Sequence, residues 1–195
     1  MLPHVPFYFL RHGETDWNRR RVMQGHIDIA LNEVGIRQAM DVAPAVAQLP
    51  IKTICVSTLS RARRTAEIVN VNNATIVVLD TLKECGFGVY EGQDSNGPWR
   101  EGWMAGGTIE GGERRVDYIA RVHRALNEAL SHPAPVLIVA HGGTFWAMEE
   151  LLGEIVHVQN CTLFEITPPA ADRKHWKATQ LACPIEPPLA IGQRR

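Results

Sequence analysis

Five side chains able to bind an anion or move a proton follow four short apolar runs of the sequence. Each run has the length and composition of a buried strand, and such a strand has no structural need for a cation or an imidazole at its end. Polar side chains there indicate a ligand site. The apolar runs, each given with the polar residues that follow it, are 7–10 with Arg11 and His12, 53–57 with Arg61, 75–79 with Glu84, and 135–140 with His141.

These residue types suit phosphoryl transfer. A phosphoryl group in transit carries negative charge on its oxygens, so catalysis depends mainly on positioning and charge stabilisation. An arginine guanidinium can hold two such oxygens at once, and a glutamate beside it can move a proton. A helix predicted to follow Gly142 would add backbone N–H donors. Arg61 falls in the first turn of a predicted helix, where a cation is unfavourable unless an anion lies nearby.

Predicted strands and helices alternate along the chain, which indicates an α/β fold with a mostly parallel sheet. In such sheets ligands bind beyond the carboxyl ends of the strands, so the five side chains are expected to meet at one edge. Two late runs, at 161–167 and 175–182, are interpreted as further strands.

Capping residues and apolar spacing predict the helices. Asn32 is expected to cap a helix that starts at residue 33, with a kink or break at Pro44. Ser60 is expected to cap the helix 60–69. Apolar residues keep helical spacing over 113–132, and another helix resumes after His141.

The chain of 195 residues suits one sizeable core, so residues 1–195 are predicted to form a single domain. The segment 86–112, rich in glycine and tryptophan and without periodicity, is predicted to be a loop insertion on the substrate side. Its Trp99 and Trp103 would either line a substrate entrance or pack within a lid. The Pro-rich segment 184–195 is predicted to be a loose tail.

Composition excludes several classes of partner. The formal net charge of −1 provides no basic field for nucleic acid or anionic lipid, and no apolar segment approaches the roughly 18 residues of a membrane span. We expect no signal peptide, because the apolar start has no basic leader or cleavage site. The four cysteines form no CxxC pair, which argues against a zinc site or a disulfide framework. A cytoplasmic location is therefore expected. The oligomeric state is left open, since a sheet-edge dimer would leave no recognisable pattern.

Five motifs in a fixed order resemble the histidine phosphatase superfamily, which includes cofactor-dependent phosphoglycerate mutases and many broad phosphatases. They are LRHGETDWN, LNEVGIRQA, SRARRTAE, LKECGFGVYEG and VAHGG, spread from about residue 7 to about residue 163. The resemblance implies a phosphoglycerate mutase-like, three-layer α/β/α sandwich around a mostly parallel sheet. It also implies a phosphate ester of a small molecule as substrate, with no metal and no cofactor required.

The resemblance implies roles that agree with the chemistry of each residue. His12 is expected to be the nucleophile that forms a phosphohistidine, with its other ring nitrogen donating to the Gly13 carbonyl. Glu84 is expected to protonate the leaving alcohol and then to activate water. Residues expected to contact the phosphoryl oxygens are Arg11, Arg61, His141, Asn18 and Gly142, and those expected to contact substrate or to shape the loop are Gln24 and Gly25.

Other polar residues in the same segments are assigned no chemistry. Arg63 and Arg64 are interpreted as solvated helix residues, and Glu91, the competitor of Glu84, as a structural residue. The remaining histidines, of which His123 is expected to pack on its helix, are His4, His26, His123, His132, His157 and His175.

Three alternatives to a phosphatase stay open at this point. Phosphoglycerate mutases of this family carry Arg-His-Tyr-Gly after the catalytic glutamate and a longer basic insertion. Here Cys85 takes the place of that arginine, and the short insertion offers only Arg100, Arg114 and Arg115, which favours a phosphatase. A metal-dependent hydrolase is disfavoured because two arginines would repel a divalent cation. An inactive relative that binds phosphate esters is the third alternative.

Overall fold

The computed structural model describes residues 2–153, 158–170 and 174–184, so His157 and nearly all of the predicted tail 184–195 lie outside the described residues. Its centre is a six-stranded sheet in the order β3-β2-β4-β1-β5-β6. The bounds are Phe7–Arg11 for β1, Thr53–Ser57 for β2, Thr75–Leu79 for β3, Val136–Ala140 for β4, Leu163–Thr167 for β5 and Lys177–Ala182 for β6.

The sheet is mostly parallel, as predicted. Strands β1 to β4 pair in parallel, β5 runs antiparallel to β1, and β6 runs antiparallel to β5. Every residue of β2 and β4 is buried, as expected for strands covered on both faces. The carboxyl ends of β1, β2 and β4 consequently lie side by side at one edge.

Helices cover both faces of the sheet. Their bounds are Asp16–Arg20 for α1, Glu33–Ala47 for α2, Ser60–Val69 for α3, Trp99–Met104 for α4, Arg115–Ala129 for α5, Gly142–Ala147 for α6 and Glu149–Leu152 for α7.

Alternate residues of the strands enter two separate cores. Phe9 and Ile138 pack in the core shared with α5 and α6, whereas Leu10 and Val139 pack in the core shared with α2 and α3. Successive strand residues point to opposite faces, so each strand contributes to both layers. The fold is therefore the predicted three-layer α/β/α arrangement.

The predicted Ser60 cap is wrong, and no break occurs at Pro44. Helix α2 continues through Pro44 without a break. Proline has no N–H to donate to the Met40 carbonyl, but both residues are exposed, so water can donate a hydrogen bond to that carbonyl instead. Ser60 does not cap α3, because it is the first helical residue, and its N–H and Oγ–H both donate to Asp28 Oδ1 at 2.8 Å. The Asn32 cap is confirmed, with its Oδ1 accepting from Gly35 N at 2.8 Å.

The long helix is shorter than predicted. Helix α5 ends at Ala129; of the apolar residues with helical spacing, Leu126 is fully buried, whereas Val116 is 61% exposed. Tyr118 is fully buried instead. His123 is half-buried on this helix.

The segment 86–112 contains more regular structure than the predicted loop. It forms a 3₁₀ turn at Gly88–Tyr90 and the helix α4. Trp103 is buried and donates its indole N–H to Glu113 O at 2.9 Å, while Trp99 stacks on Tyr90 with ring centroids 4.9 Å apart. Trp103 thus packs in the core, against Phe87 of the segment and Trp146 of α6. Among the described residues, no helix combines the length and apolarity needed to cross a membrane.

Candidate active site

His12 lies at the carboxyl end of β1 with one ring nitrogen engaged. Its backbone N–H donates to Ala140 O at 2.9 Å, which ties the end of β1 to the end of β4. Nδ1 lies 2.7 Å from Gly13 O, the contact expected from the sequence. A neutral imidazole that donates from Nδ1 keeps its lone pair on Nε2. His12 Nε2 is therefore the nitrogen available as a nucleophile.

Two arginines flank this imidazole, Arg61 fully buried and Arg11 partly buried. Arg61 donates from Nη1 to Ile27 O at 3.0 Å and from Nη2 to Gly25 O at 2.9 Å. These carbonyls stabilise the cation in the first turn of α3. The sequence alone had indicated a nearby anion as the group that would do so. Arg11 donates from Nη1 to Val158 O at 2.6 Å. Both guanidinium groups are thus fixed by backbone oxygens.

His141 follows β4 and lies beside His12, with ring centroids 5.2 Å apart. Its Nε2 lies 2.8 Å from Ser57 Oγ at the end of β2. Three buried polar atoms at this edge have no hydrogen-bond partner within the described part of the chain: Arg11 Nε, Arg61 Nε and His141 Nδ1. Buried polar groups are nearly always paired, so this cluster is suited to an oxyanion.

The same surroundings keep both imidazoles neutral. Burial, then the charges of Arg61 and Arg11, holds the pKa of His12 well below its ordinary value of 6.5. Burial and Arg61 do the same for the pKa of His141. Burial also lowers the pKa of Arg11 and Arg61, and the Glu84 carboxylate opposes that effect at both. The acid therefore lies within electrostatic reach of both arginines.

Three donors from three parts of the chain hold the Glu84 carboxylate. Oε1 accepts from Cys85 N and from the Tyr118 hydroxyl of α5, each at 2.9 Å, and Oε2 accepts from Gly143 N of α6 at 3.1 Å. A Cβ on Gly143 would lie 2.1 Å from Glu84 Oε1, so any larger residue there would displace the carboxylate. The first turn of α6 thus directs the Gly143 N–H to Glu84, and the expected contact of Gly142 with the phosphoryl group stays a prediction.

The other predicted residues lie around these groups. Asn18 Oδ1 accepts from Thr15 N at 3.1 Å and from Asn160 Nδ2 at 3.3 Å, which leaves its own amide N–H₂ for a ligand. A Cβ on Gly142 would lie 3.4 Å from the Arg11 guanidinium. Gln24, which is buried, accepts from Thr15 Oγ1 at 3.0 Å. Gln24 and Gly25 thus contact protein groups that shape the loop.

The residues expected to lack chemistry are placed as follows. Glu91 accepts from the backbone N–H groups of His26, Ile27 and Phe87, a structural role, as predicted. Arg63 and Arg64 are exposed. His26 is also exposed, and its Nε2 lies 2.9 Å from the backbone carbonyl of Glu84.

Sequence reasoning missed several residues that support the site. Ser57 is the last residue of a predicted strand, a position that could have identified it. Tyr118 and Arg121 face Glu84 from α5, and no local pattern marked them. The Arg121 guanidinium donates to Thr81 O, Lys83 O, Glu84 O and both Glu113 oxygens at 2.6–3.0 Å. Within the described residues, no group of three or more His, Cys, Asp or Glu side chains forms a metal site.

Comparison with known proteins gives a matching family model and similar proteins named as probable phosphoglycerate mutases. A model of the histidine phosphatase superfamily (branch 1) matches residues 7–173. A probable phosphoglycerate mutase GpmB of Cronobacter sakazakii is 40% identical over 147 residues, 69% of this chain and 68% of the relative. A relative of the same name from Yersinia pestis is 37% identical over 178 residues, 82% of this chain and 83% of the relative.

Solved structures extend the similarity to the whole fold. A mycobacterial glucosyl-3-phosphoglycerate phosphatase in complex with VO3 has a TM-score of 0.76 and 29% identity, covering 89% of this chain and 97% of that one. A phosphoglycerate mutase from Thermus thermophilus has a TM-score of 0.74 and 27% identity, covering 91% of this chain and 98% of that one. With its family model matched over most of its length, the chain belongs to the histidine phosphatase superfamily, whose members are phosphatases or mutases.

Proposed function

We propose that the protein is a metal-independent phosphomonoesterase that acts on phosphate esters of small molecules through a phosphohistidine on His12. The cluster of three buried, unpartnered polar atoms beside a neutral imidazole supports this proposal most strongly. Arg11 Nε, Arg61 Nε and His141 Nδ1 would donate to the phosphoryl oxygens, and desolvated donors stabilise charge in the transition state more strongly than water does.

The reaction would proceed in two steps. In the first, the lone pair on His12 Nε2 attacks phosphorus, the bond to the ester oxygen breaks, and that oxygen takes the proton of Glu84. In the second, water loses a proton to the Glu84 carboxylate as its oxygen attacks phosphorus. The bond from nitrogen to phosphorus then breaks, which releases phosphate and returns neutral His12 and protonated Glu84.

The surroundings of Cys85 favour hydrolysis over a mutase reaction. Its thiol is buried and donates to Gly86 O at 3.7 Å, so this position supplies no cation for a substrate carboxylate. Arg114 pairs with Asp117 at 2.7 Å, and the Arg115 guanidinium lies 4.9 Å from the centroid of the Trp146 ring. Arg100 is exposed. The names of the GpmB relatives nevertheless make phosphoglycerate mutase the second candidate.

The test is phosphate release from a panel of phosphomonoesters in excess chelator. Wild type is compared with His12→Ala and with His4→Ala, a matched control at an exposed histidine. We expect release that resists chelation, disappears in His12→Ala and persists in His4→Ala. Chelator-sensitive release, or release that survives in His12→Ala, would contradict the proposal.

The mutase candidate is tested with 3-phosphoglycerate primed with 2,3-bisphosphoglycerate. Formation of 2-phosphoglycerate without phosphate release would identify a mutase. Binding of phosphate esters with neither reaction would identify an inactive relative.

A further inference from the structure

The Glu84 carboxylate is held asymmetrically. A carboxylate offers about four lone-pair sites, two on each oxygen. Oε1 accepts two hydrogen bonds, from Cys85 N and Tyr118 OH, whereas Oε2 accepts one, from Gly143 N. With both sites on Oε1 occupied, a proton bound to Glu84 has room only on Oε2.

Tyr118 is built to remain a donor to this carboxylate. Its side chain is fully buried, and burial together with the Glu84 charge raises its pKa well above the ordinary value of 10.0. The phenol therefore stays protonated. Its ring is fixed between the Trp146 ring, nearly parallel at a centroid distance of 6.5 Å, and the Arg121 guanidinium at 5.0 Å.

The backbone that carries Glu84 is fastened to the same helix. Arg121 donates to Lys83 O at 2.8 Å and to Glu84 O at 3.0 Å, and its partner Glu113 accepts from Gly86 N at 2.8 Å. Helix α5 thus holds both the main chain and the carboxylate of Glu84. Cys85 N and Gly143 N give each carboxylate oxygen one hydrogen bond, and the Tyr118 hydroxyl makes the two oxygens unequal by adding a second bond to Oε1.

We propose that Tyr118 is a positioning residue that confines the proton of Glu84 to Oε2, the oxygen that delivers it to the leaving alcohol. The inference rests on the proposed phosphatase reaction. As the bond from phosphorus to the ester oxygen breaks, the Oε2–H bond breaks and the ester oxygen takes the proton. Without the Tyr118 hydroxyl, a lone pair on Oε1 becomes free, and the proton can reside on this oxygen, which then accepts only from Cys85 N.

The test compares Tyr118→Phe with wild type on esters whose leaving groups range from nitrophenol to simple alcohols. A nitrophenolate leaves without a proton, whereas an alkoxide needs one, so only the alkyl esters depend on the acid. We expect kcat/KM to fall about tenfold for alkyl esters and to change less than about twofold for nitrophenyl phosphate. The matched control is Tyr90→Phe, because that hydroxyl makes no hydrogen bond to the described residues and its ring lies in the adjoining aromatic cluster.

A double-mutant cycle with Glu84→Gln separates positioning from a general structural effect. If Tyr118 acts through the acid, Tyr118→Phe should cause no further loss on alkyl esters once Glu84 is replaced. Equal loss on all esters, additive loss in the double variant, or no change would each overturn the inference. Melting temperatures verify folding, since phenylalanine keeps the packed ring. If wild type shows no turnover that depends on His12, the proposed function itself fails, a result separate from any Tyr118 outcome.

Discussion

At the scale of single residues, the orientation of His141 depends on Ser57. Ser57 Oγ accepts from Leu59 N at 3.3 Å, so its own hydrogen is free to donate to His141 Nε2 at 2.8 Å. Neutral His141 then carries its N–H on Nδ1, the nitrogen without a partner among the described residues. The residue that ends β2 thereby sets which nitrogen of His141 carries the N–H that we propose to contact the phosphoryl group.

We therefore predict that Ser57→Ala lowers kcat/KM about tenfold for every ester. The substitution loosens His141, which is proposed to hold the phosphoryl oxygens, and leaves Glu84 unaffected. Steady-state kinetics on the same graded ester series tests this. Ser57→Thr, which keeps a hydroxyl, should restore most of the activity. A loss restricted to alkyl esters would show that His141 acts on the leaving group.

At the scale of elements, Glu84 and His12, the proposed acid and nucleophile, are placed by different layers. His12 is fixed by the pairing of β1 with β4, and Asn160 Nδ2 also donates to its carbonyl at 2.9 Å. Glu84 follows the edge strand β3 and depends on α5 and the first turn of α6 for its position. A change in either helix should therefore affect proton transfer before it affects phosphoryl binding.

Gly143→Ala tests this dependence at the start of α6. The added Cβ would lie 2.1 Å from Glu84 Oε1 and 2.8 Å from Tyr118 OH, so the carboxylate must move. We expect kcat/KM for alkyl esters to fall at least about tenfold, with a smaller loss for nitrophenyl phosphate.

Gly102→Ala is the matched control, because its Cβ would meet nothing within 4 Å, and it should leave both activities unchanged. Unaltered alkyl ester hydrolysis in Gly143→Ala would show that Glu84 is not held as described.

At the scale of the whole molecule, burying two neutral histidines makes stability depend on pH. In the unfolded chain each imidazole binds a proton near pH 6.5, whereas His12 and His141 in the folded protein do so only at lower pH. The unfolded state then binds more protons, so the free energy of unfolding falls as pH drops. The lowered pKa values of Asp80, Glu113 and Asp117 act in the same direction, but only near and below their ordinary values of 3.8 to 4.5.

We predict that the free energy of unfolding falls from about pH 6.5 toward about pH 5, by up to about 1.4 kcal/mol per pH unit for each histidine. Urea unfolding at a series of pH values from about 7.5 down to about 5 measures the slope. In His12→Gln the slope should be smaller, corresponding to about one fewer proton taken up on unfolding. An unchanged slope in that variant would mean that His12 is protonated in the folded state.

The sequence by itself determined the alternation of strands and helices and the five side chains at the strand ends. Periodicity and burial of an element are local properties, and parallel strands bring their carboxyl ends together whatever packs around them. The family motifs added the contact from His12 to Gly13 O and the structural role of Glu91, both of which the structure shows.

Only the tertiary structure decided how Glu84 and His141 are oriented. Tyr118, Gly143 and Ser57 lie 34, 59 and 84 positions from their partners, and no local pattern encodes such contacts. The same reason explains the corrections at Ser60 and Pro44, where Asp28 and solvent exposure override local propensity. Side-chain pairing across the layers depends on packing, which a single sequence does not reveal.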